Sequence, residues 1–259
     1  MMKSTLIFFV FVAVFSNSIA QVTTQEKDSL LRQDTTRREI KYKPKASAYI
    51  VPGVFISYGL ISLTGDNVIR RLDYTTNAEL QEDHPSFAFK MDNYLRYAPA
   101  VAVYGLDLVG VKAKHSVVDR SIMLLSSYAM VTVSVGSLKG LSNRLRPNGA
   151  NAHSFPSGHT SLAFMTAEFL HQEYKDRSVW YSIGGYAIAT GTGILRLYNN
   201  AHWVSDVVAG AGFGILSTKL TYLAYPYIKR KLFKGKPVDM LISPNYQHGK
   251  LGFNLIKRL

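Results

Sequence analysis

The 259-residue sequence contains no cysteine. That excludes a disulfide framework, a zinc–thiolate site and a cysteine nucleophile, and it fits either redox compartment. Acidic groups are scarce: 17 Asp and Glu stand against 30 Lys and Arg, a formal net charge of +13. Such a balance suits nucleic acid, an anionic membrane or an acidic substrate. No nucleic-acid module is present, and the basic residues fall in loops between apolar runs, which favours a membrane surface or a phosphate ligand. Repeats, low-complexity tracts and Pro/Gly/Ser-rich linkers are also missing, so the chain reads as one domain with two tails. No Asp/Glu/His cluster has metal-ligand spacing. Mean hydropathy is only +0.02 despite 47% hydrophobic residues, which argues against reading every apolar run as a membrane span.

Residues 1–20 read as a secretory signal. Lys3 gives the positive start, 6–15 is the apolar core, and Ser18-Ile19-Ala20 places small residues at the cleavage-determining positions. The core is short for a span, so cleavage before Gln21 is favoured over an anchor helix. Residues 21–46 form a polar lead-in. Six apolar runs follow, at 47–63, 95–111, 121–138, 161–173, 180–195 and 204–225, each long enough for a helix. The expected fold is all-α: a membrane-embedded bundle of about six helices over 47–228. Glycines in 184–193 and at Gly210-x-x-x-Gly214 permit close helix approach. Asp107, Glu168, His171 and Lys219 interrupt the apolar runs; functional charges and partly wet helices both remain open. Residues 65–93 are a polar insertion with six acidic and three basic residues. The basic stretch 229–236 leads into two β-like runs, 238–242 and 251–256, flanking a turn at 244–250. This tail reads as a hairpin, and a lone hairpin is marginal in water, so it should dock on the bundle or a partner.

Three stretches carry chemistry. In Arg196-Leu-Tyr-Asn-Asn-Ala-His202-Trp-Val-Ser-Asp206, a histidine and an aspartate are four apart at the start of an apolar run. On a helix they are neighbours. The carboxylate can accept one ring N–H and leave the other nitrogen free to attack. Arg196 offers a planar fork for an oxyanion. Alone, this stretch reads better as a helix-start aspartate and an interface histidine. In Pro156-Ser157-Gly158-His159, a turn before an apolar run leaves backbone N–H groups to face an anion, with His159 placed to give a proton. Lys139 and Arg146 flank a helix end stopped by Pro147.

Together, Lys-x6-Arg-Pro, Pro-Ser-Gly-His and Arg-x5-His-x3-Asp resemble the signature of the type 2 phosphatidic acid phosphatase and vanadium haloperoxidase superfamily, over about residues 94–227. One departure is Leu195, where the family usually has serine before the arginine. The resemblance implies that Lys139, Arg146, Ser157, Gly158 and Arg196 hold a phosphoryl group. It implies that His202 attacks phosphorus, Asp206 orients His202, and His159 protonates the leaving oxygen. Three cations and two histidines then do the charge work, with no metal and no cofactor. His153, Asn143 and Arg144 read as pocket-lining, loop-surface or substrate-rim residues.

The resemblance leaves open a lipid-phosphate phosphatase, a soluble periplasmic acid phosphatase and a vanadate-dependent haloperoxidase. A non-catalytic protein with relic motifs is disfavoured by the presence of every charged motif residue. Positive charge in short loops puts 112–120 and 229–236 in the cytoplasm and the three motifs on the periplasmic face of a bacterial inner membrane. A spanning 47–63 conflicts with that sidedness, so this run is expected not to cross fully. Extra polar groups at Arg144, Asn148 and Asn151 suit a sugar headgroup. Lipid A phosphate therefore ranks first as substrate, then undecaprenyl diphosphate, then phosphatidate.

Overall fold

The computed structural model describes residues 45–233 and the backbone of two strands, with side chains through residue 231. The chain divides into two units, Met1–Lys41 and Tyr42–Leu259, and the described residues belong to the second. The signal segment and nearly all of the lead-in lie outside the described residues.

A 3-10 turn, Ala46–Tyr49, opens into α1, Ile50–Ile61. Helices α2, Val68–Asp83, and α3, Asp92–Leu95, follow, then α4, Ala98–Leu108. The longer helices are α5, Val117–Ser142; α6, Gly158–Tyr174; α7, Val179–Tyr198; and α8, Val204–Phe233. Local signals set their ends. Ser116 caps α5 by accepting from the Asp119 N–H, and Ser178 caps α7 by accepting from the Trp180 N–H. Pro99 stands at the start of α4, where its missing N–H costs nothing. Asn143 ends α5 in the left-handed region (φ 44°, ψ 31°), a conformation asparagine tolerates better than most residues.

The six apolar runs are all helices. The polar insertion holds a helix that hydrophobic periodicity did not reveal. Its start is set by Asn67, whose side chain accepts from the Arg70 N–H. It is held to the bundle by a buried aspartate, Asp73, rather than by an apolar stripe. The basic stretch is also partly helical: Lys229, Arg230 and Lys231 continue α8, and Lys229 pairs with Asp119 of α5 at 2.9 Å.

Helix α6 is the centre of the bundle, buried on nearly every face between α8, α7, α4 and α5. Its Phe169 and Tyr174 pack with Met123 of α5, Val103 of α4, and Tyr222 and Tyr225 of α8. Glycine lets α8 lie against the backbone of α6: a Cβ on Gly210 would stand 2.7 Å from the Ser157 carbonyl oxygen, and one on Gly214 would collide with that of Ser161. The polar intruders are paired, as buried charges must be. Asp107 meets Arg120 at 2.7 Å, Glu168 meets Lys219 at 3.0 Å, and His171 lies 2.8 Å from the Ser182 hydroxyl.

By length and composition α5 and residues 204–231 of α8 can cross a membrane. The 26 residues of α5 are roughly 39 Å long against a hydrocarbon core of roughly 30 Å. Leu125, Val133 and Leu141 stand exposed along it. Helix α1, with 12 residues, reaches only roughly 18 Å, too short to cross alone. The tail forms an antiparallel pair, β1 Met240–Gln247 and β2 Lys250–Lys257. Pro244, expected in the turn, instead pairs with Phe253 inside the ladder. The tip, residues 248–249, and the surface on which the hairpin was expected to dock lie outside the described residues.

Candidate active site

Three connections bring the motifs to one end of the bundle. Lys139 is in the last turn of α5, and its Nζ donates to the His153 carbonyl at 2.6 Å, closing the loop that carries Arg146. The Arg146 N–H donates to the Asn151 carbonyl at 3.0 Å, and its Nε to the Asn151 side-chain oxygen at 3.1 Å. The Ser157 N–H donates to the Asp206 carbonyl at 3.0 Å, tying the start of α6 to the start of α8. The turn before α6 contains a cis Phe155–Pro156 peptide.

His202 sits in the turn before α8 with its side chain 1% exposed. Its Nδ1 is 3.6 Å from Asp206 Oδ2, ion-pair rather than hydrogen-bond distance. Ser154 bridges the gap: its hydroxyl donates to Asp206 Oδ2 and its oxygen stands 3.5 Å from His202 Nδ1. A hydroxyl that has given its proton to a carboxylate can only accept from the ring, so Nδ1 carries the proton and Nε2 the lone pair. Asp206 is held in turn by the Trp203 N–H at 2.9 Å and by Arg144 Nη1 at 2.9 Å.

Arg144 is a correction to its reading as a loop-surface or rim residue. Its guanidinium is buried behind Asp206 and bridges to Asp73 of α2 at 2.6 Å. The same Nη1 reaches the Ser205 hydroxyl at 2.7 Å and that of Ser62 at 3.1 Å. Asp73 closes the knot by accepting from the Ser205 N–H at 2.8 Å and hydroxyl at 2.6 Å. Ser154 and Asp73 were missed for the same reason: their partners are 52 and 71 residues away in sequence.

On the other wall, Arg196 of α7 donates through Nη1 to Asp92 at 2.6 Å, and His159 Nε2 lies 2.8 Å from the Asn93 side-chain oxygen. The Arg196 Nε is buried without a partner, a donor left for an anion. The Ser157 hydroxyl is 2.9 Å from that of Thr160, so it already has a partner inside the turn. His153 contributes its backbone carbonyl to Lys139 and faces outward.

The field of this end is positive. Burial and the neighbouring Arg196 hold Arg146 below its usual pKa. Burial outweighs the pull of Asp206 and, with Lys139 and Arg196 adding to it, lowers His202 to about 4. Burial, Arg196 and Arg96 lower His159 to about 3. Both rings are neutral at pH 7, and a bound phosphate dianion among these cations would raise both.

Two neutral histidines and a cluster of cations therefore meet at one end of the bundle, an arrangement suited to an anion. The PAP2 superfamily model matches residues 120–230, and all three motif stretches fall within them. The chain is 38% identical over 170 residues to the lipid A 1-phosphatase of Porphyromonas gingivalis, covering 64% of this chain. It spans only 36%, about a third, of that relative's length. Two crystal structures are similar. A transmembrane PAP2-type phosphatidylglycerolphosphate phosphatase from Bacillus subtilis is 19% identical, with 72% of this chain and 99% of that chain covered and a TM-score of 0.46. LpxE of Aquifex aeolicus is 22% identical, with 56% and 92% covered and a TM-score of 0.41.

Proposed function

We propose that the chain is a metal-independent phosphatase that removes a phosphate from a membrane lipid through a phosphohistidine on His202. The observation that carries the reading is the Ser154–Asp206–Arg144 brace, which fixes the proton on His202 Nδ1 and leaves Nε2 as a nucleophile beside clustered cations. Nε2 attacks phosphorus, the N–P bond forms and the P–O ester bond breaks, and His159, which takes up a second proton once the phosphate dianion is bound, gives it to the leaving alkoxide and returns to the neutral ring. Lys139, Arg146, Arg196, Ser157 and the Gly158 N–H stabilise the three equatorial oxygens. Water then attacks the phosphohistidine while His159 takes a proton from it, releasing inorganic phosphate and restoring His202.

The substrate is lipid A phosphate. The named activity of the Porphyromonas gingivalis relative supports this, as does Asn151, whose side chain bonds Arg146; Arg144, counted toward a sugar headgroup from the sequence, is buried on Asp73 and Asp206 and drops out of that argument. The protein acts in a bacterial inner membrane, with α5 and α8 as spans and the site at the periplasmic face. The test presents purified protein with lipid A, undecaprenyl diphosphate, phosphatidate and a soluble monoester. Release of phosphate from lipid A ahead of the others supports the reading. Preference for the diphosphate moves the substrate to the carrier lipid, and activity on the soluble ester alone, without detergent, contradicts the membrane assignment.

A further inference from the structure

The reaction proposed above assigns no role to the insertion, yet its last turn touches both Arg196 and His159. Helix α3 presents two consecutive polar side chains to them. Asp92, 1% exposed, takes Arg196 Nη1 at 2.6 Å, and Asn93 stands 2.8 Å from His159 Nε2. The segment is clipped in place at both ends. Asn199 donates to the Phe89 carbonyl at 2.8 Å and accepts from the Phe89 N–H at 3.0 Å. Thr166 of α6 donates to the Arg96 carbonyl at 2.9 Å. The Arg96 Nε closes the turn on the Asn93 carbonyl at 3.1 Å.

We infer that Asp92 and Asn93 are positioning residues, Asp92 for the phosphate-holding edge of Arg196 and Asn93 for the proton of His159. A guanidinium has one edge made by Nε and Nη2, whose N–H bonds run parallel and match two oxygens of a phosphate. With Nη1 taken by Asp92 and Nε buried without a partner, this edge remains for the anion. A carboxylate on the third nitrogen stops the planar group from rotating. Asn93 acts on the proton. Its side-chain oxygen is an acceptor only, so His159 Nε2 is the nitrogen that carries hydrogen. Nε2 also faces the cradle, for it lies 3.9 Å from the Asp92 oxygen that holds Arg196. The proton offered to the leaving oxygen is thus kept on the side where that oxygen forms.

This inference rests on the proposed phosphatase reaction, and its test separates the two. Wild type, Asp92→Asn, Asp92→Glu, Asn93→Ala and Asn93→Asp are assayed on a lipid alkyl phosphate and on an aryl phosphate, with orthovanadate as the competing anion. Asp92→Asn should weaken orthovanadate inhibition about 10-fold and slow both esters alike. Asp92→Glu, which keeps the carboxylate, should recover part of it. Asn93→Ala should lower kcat on the alkyl ester by about 10- to 100-fold with KM and orthovanadate inhibition unchanged. It should barely slow the aryl ester, whose leaving phenolate needs no proton. Asn93→Asp, which keeps an acceptor oxygen, should restore most of that loss. For Asn93, a merely structural role would slow both esters equally; for Asp92, it would slow them without weakening orthovanadate inhibition. Folded variants with wild-type kcat on both esters and wild-type orthovanadate inhibition overturn the inference, as does an Asn93→Ala loss equal for the two esters. A wild type that hydrolyses no phosphate ester overturns the phosphatase reading instead, and orthovanadate binding by calorimetry then still reads the Asp92 part.

Discussion

Replacing Arg144 by methionine should do more damage than its loop position suggests. Its guanidinium is the shared counter-charge of two carboxylates, Asp73 at 2.6 Å and Asp206 at 2.9 Å, whose side chains are both 0% exposed. Methionine fills similar volume but leaves both anions without a counter-charge, held only by hydroxyls and the backbone N–H groups of Ser205 and Trp203. Removing one partner from a buried ion pair costs about 3–5 kcal/mol, against a typical total of about 5–15 kcal/mol. At roughly 2–4 °C per kcal/mol, the melting temperature should fall by roughly 6–20 °C. Asp73→Asn leaves Arg144 on Asp206 and should cost less, about 1–3 kcal/mol. Adding Asp73→Asn to Arg144→Met neutralises one of the stranded carboxylates, so the double variant should melt higher than Arg144→Met alone. Thermal melting in detergent reads all three, with turnover measured below the lowest midpoint. An Arg144→Met protein that melts within about 2 °C of wild type, or a double variant that melts no higher than the single, would refute the shared counter-charge.

Three further outcomes follow from the same geometry. His202→Ala and His159→Ala should each abolish turnover with the melting point preserved, and Arg196→Lys should be severely impaired, because a point charge cannot reproduce the Nε–Nη2 edge; kinetics beside a melting curve check this. Both histidines have folded pKa values below the usual 6.5, at about 4 and about 3. The unfolded chain therefore binds more protons between pH 6.5 and those values, so stability should fall as pH drops through that window, and orthovanadate should restore part of it by raising both pKa values. Melting curves from pH 7 to pH 4 with and without orthovanadate read the sign. Gly210→Ala should destabilise the protein by about 1–3 kcal/mol and cut activity, because its Cβ would press on the Ser157 carbonyl beside the cradle; Gly184→Ala, with open space around it, should melt like wild type.

Much of this was legible in the sequence, for reasons that differ by element. The six apolar helices announce themselves because their length and capping residues are local properties, as with Ser116 and Ser178. His202 and Asp206 were readable because they are four apart at a helix start, although His202 lies in the turn before α8 rather than on the helix. Helix α2 was hidden, since it is mostly exposed and anchored by one buried aspartate instead of an apolar stripe. Arg144 was misread because its environment is built by Asp73, 71 residues earlier, and Asp206, 62 residues later. The link from Arg196 to Asp92 spans 104 residues, beyond the reach of any spacing argument. Ser154 was missed for the same reason, its carboxylate partner lying 52 residues further on.

The most direct measurement of the central claim is the phosphoenzyme itself. The protein is mixed with lipid phosphate, quenched in alkali and digested, and the modified peptide is located by mass spectrometry. The account predicts a phosphoramidate on His202, stable in alkali, lost in acid, and absent from His202→Ala. Phosphate on another residue, or an alkali-labile adduct, or undiminished turnover in His202→Ala would contradict it.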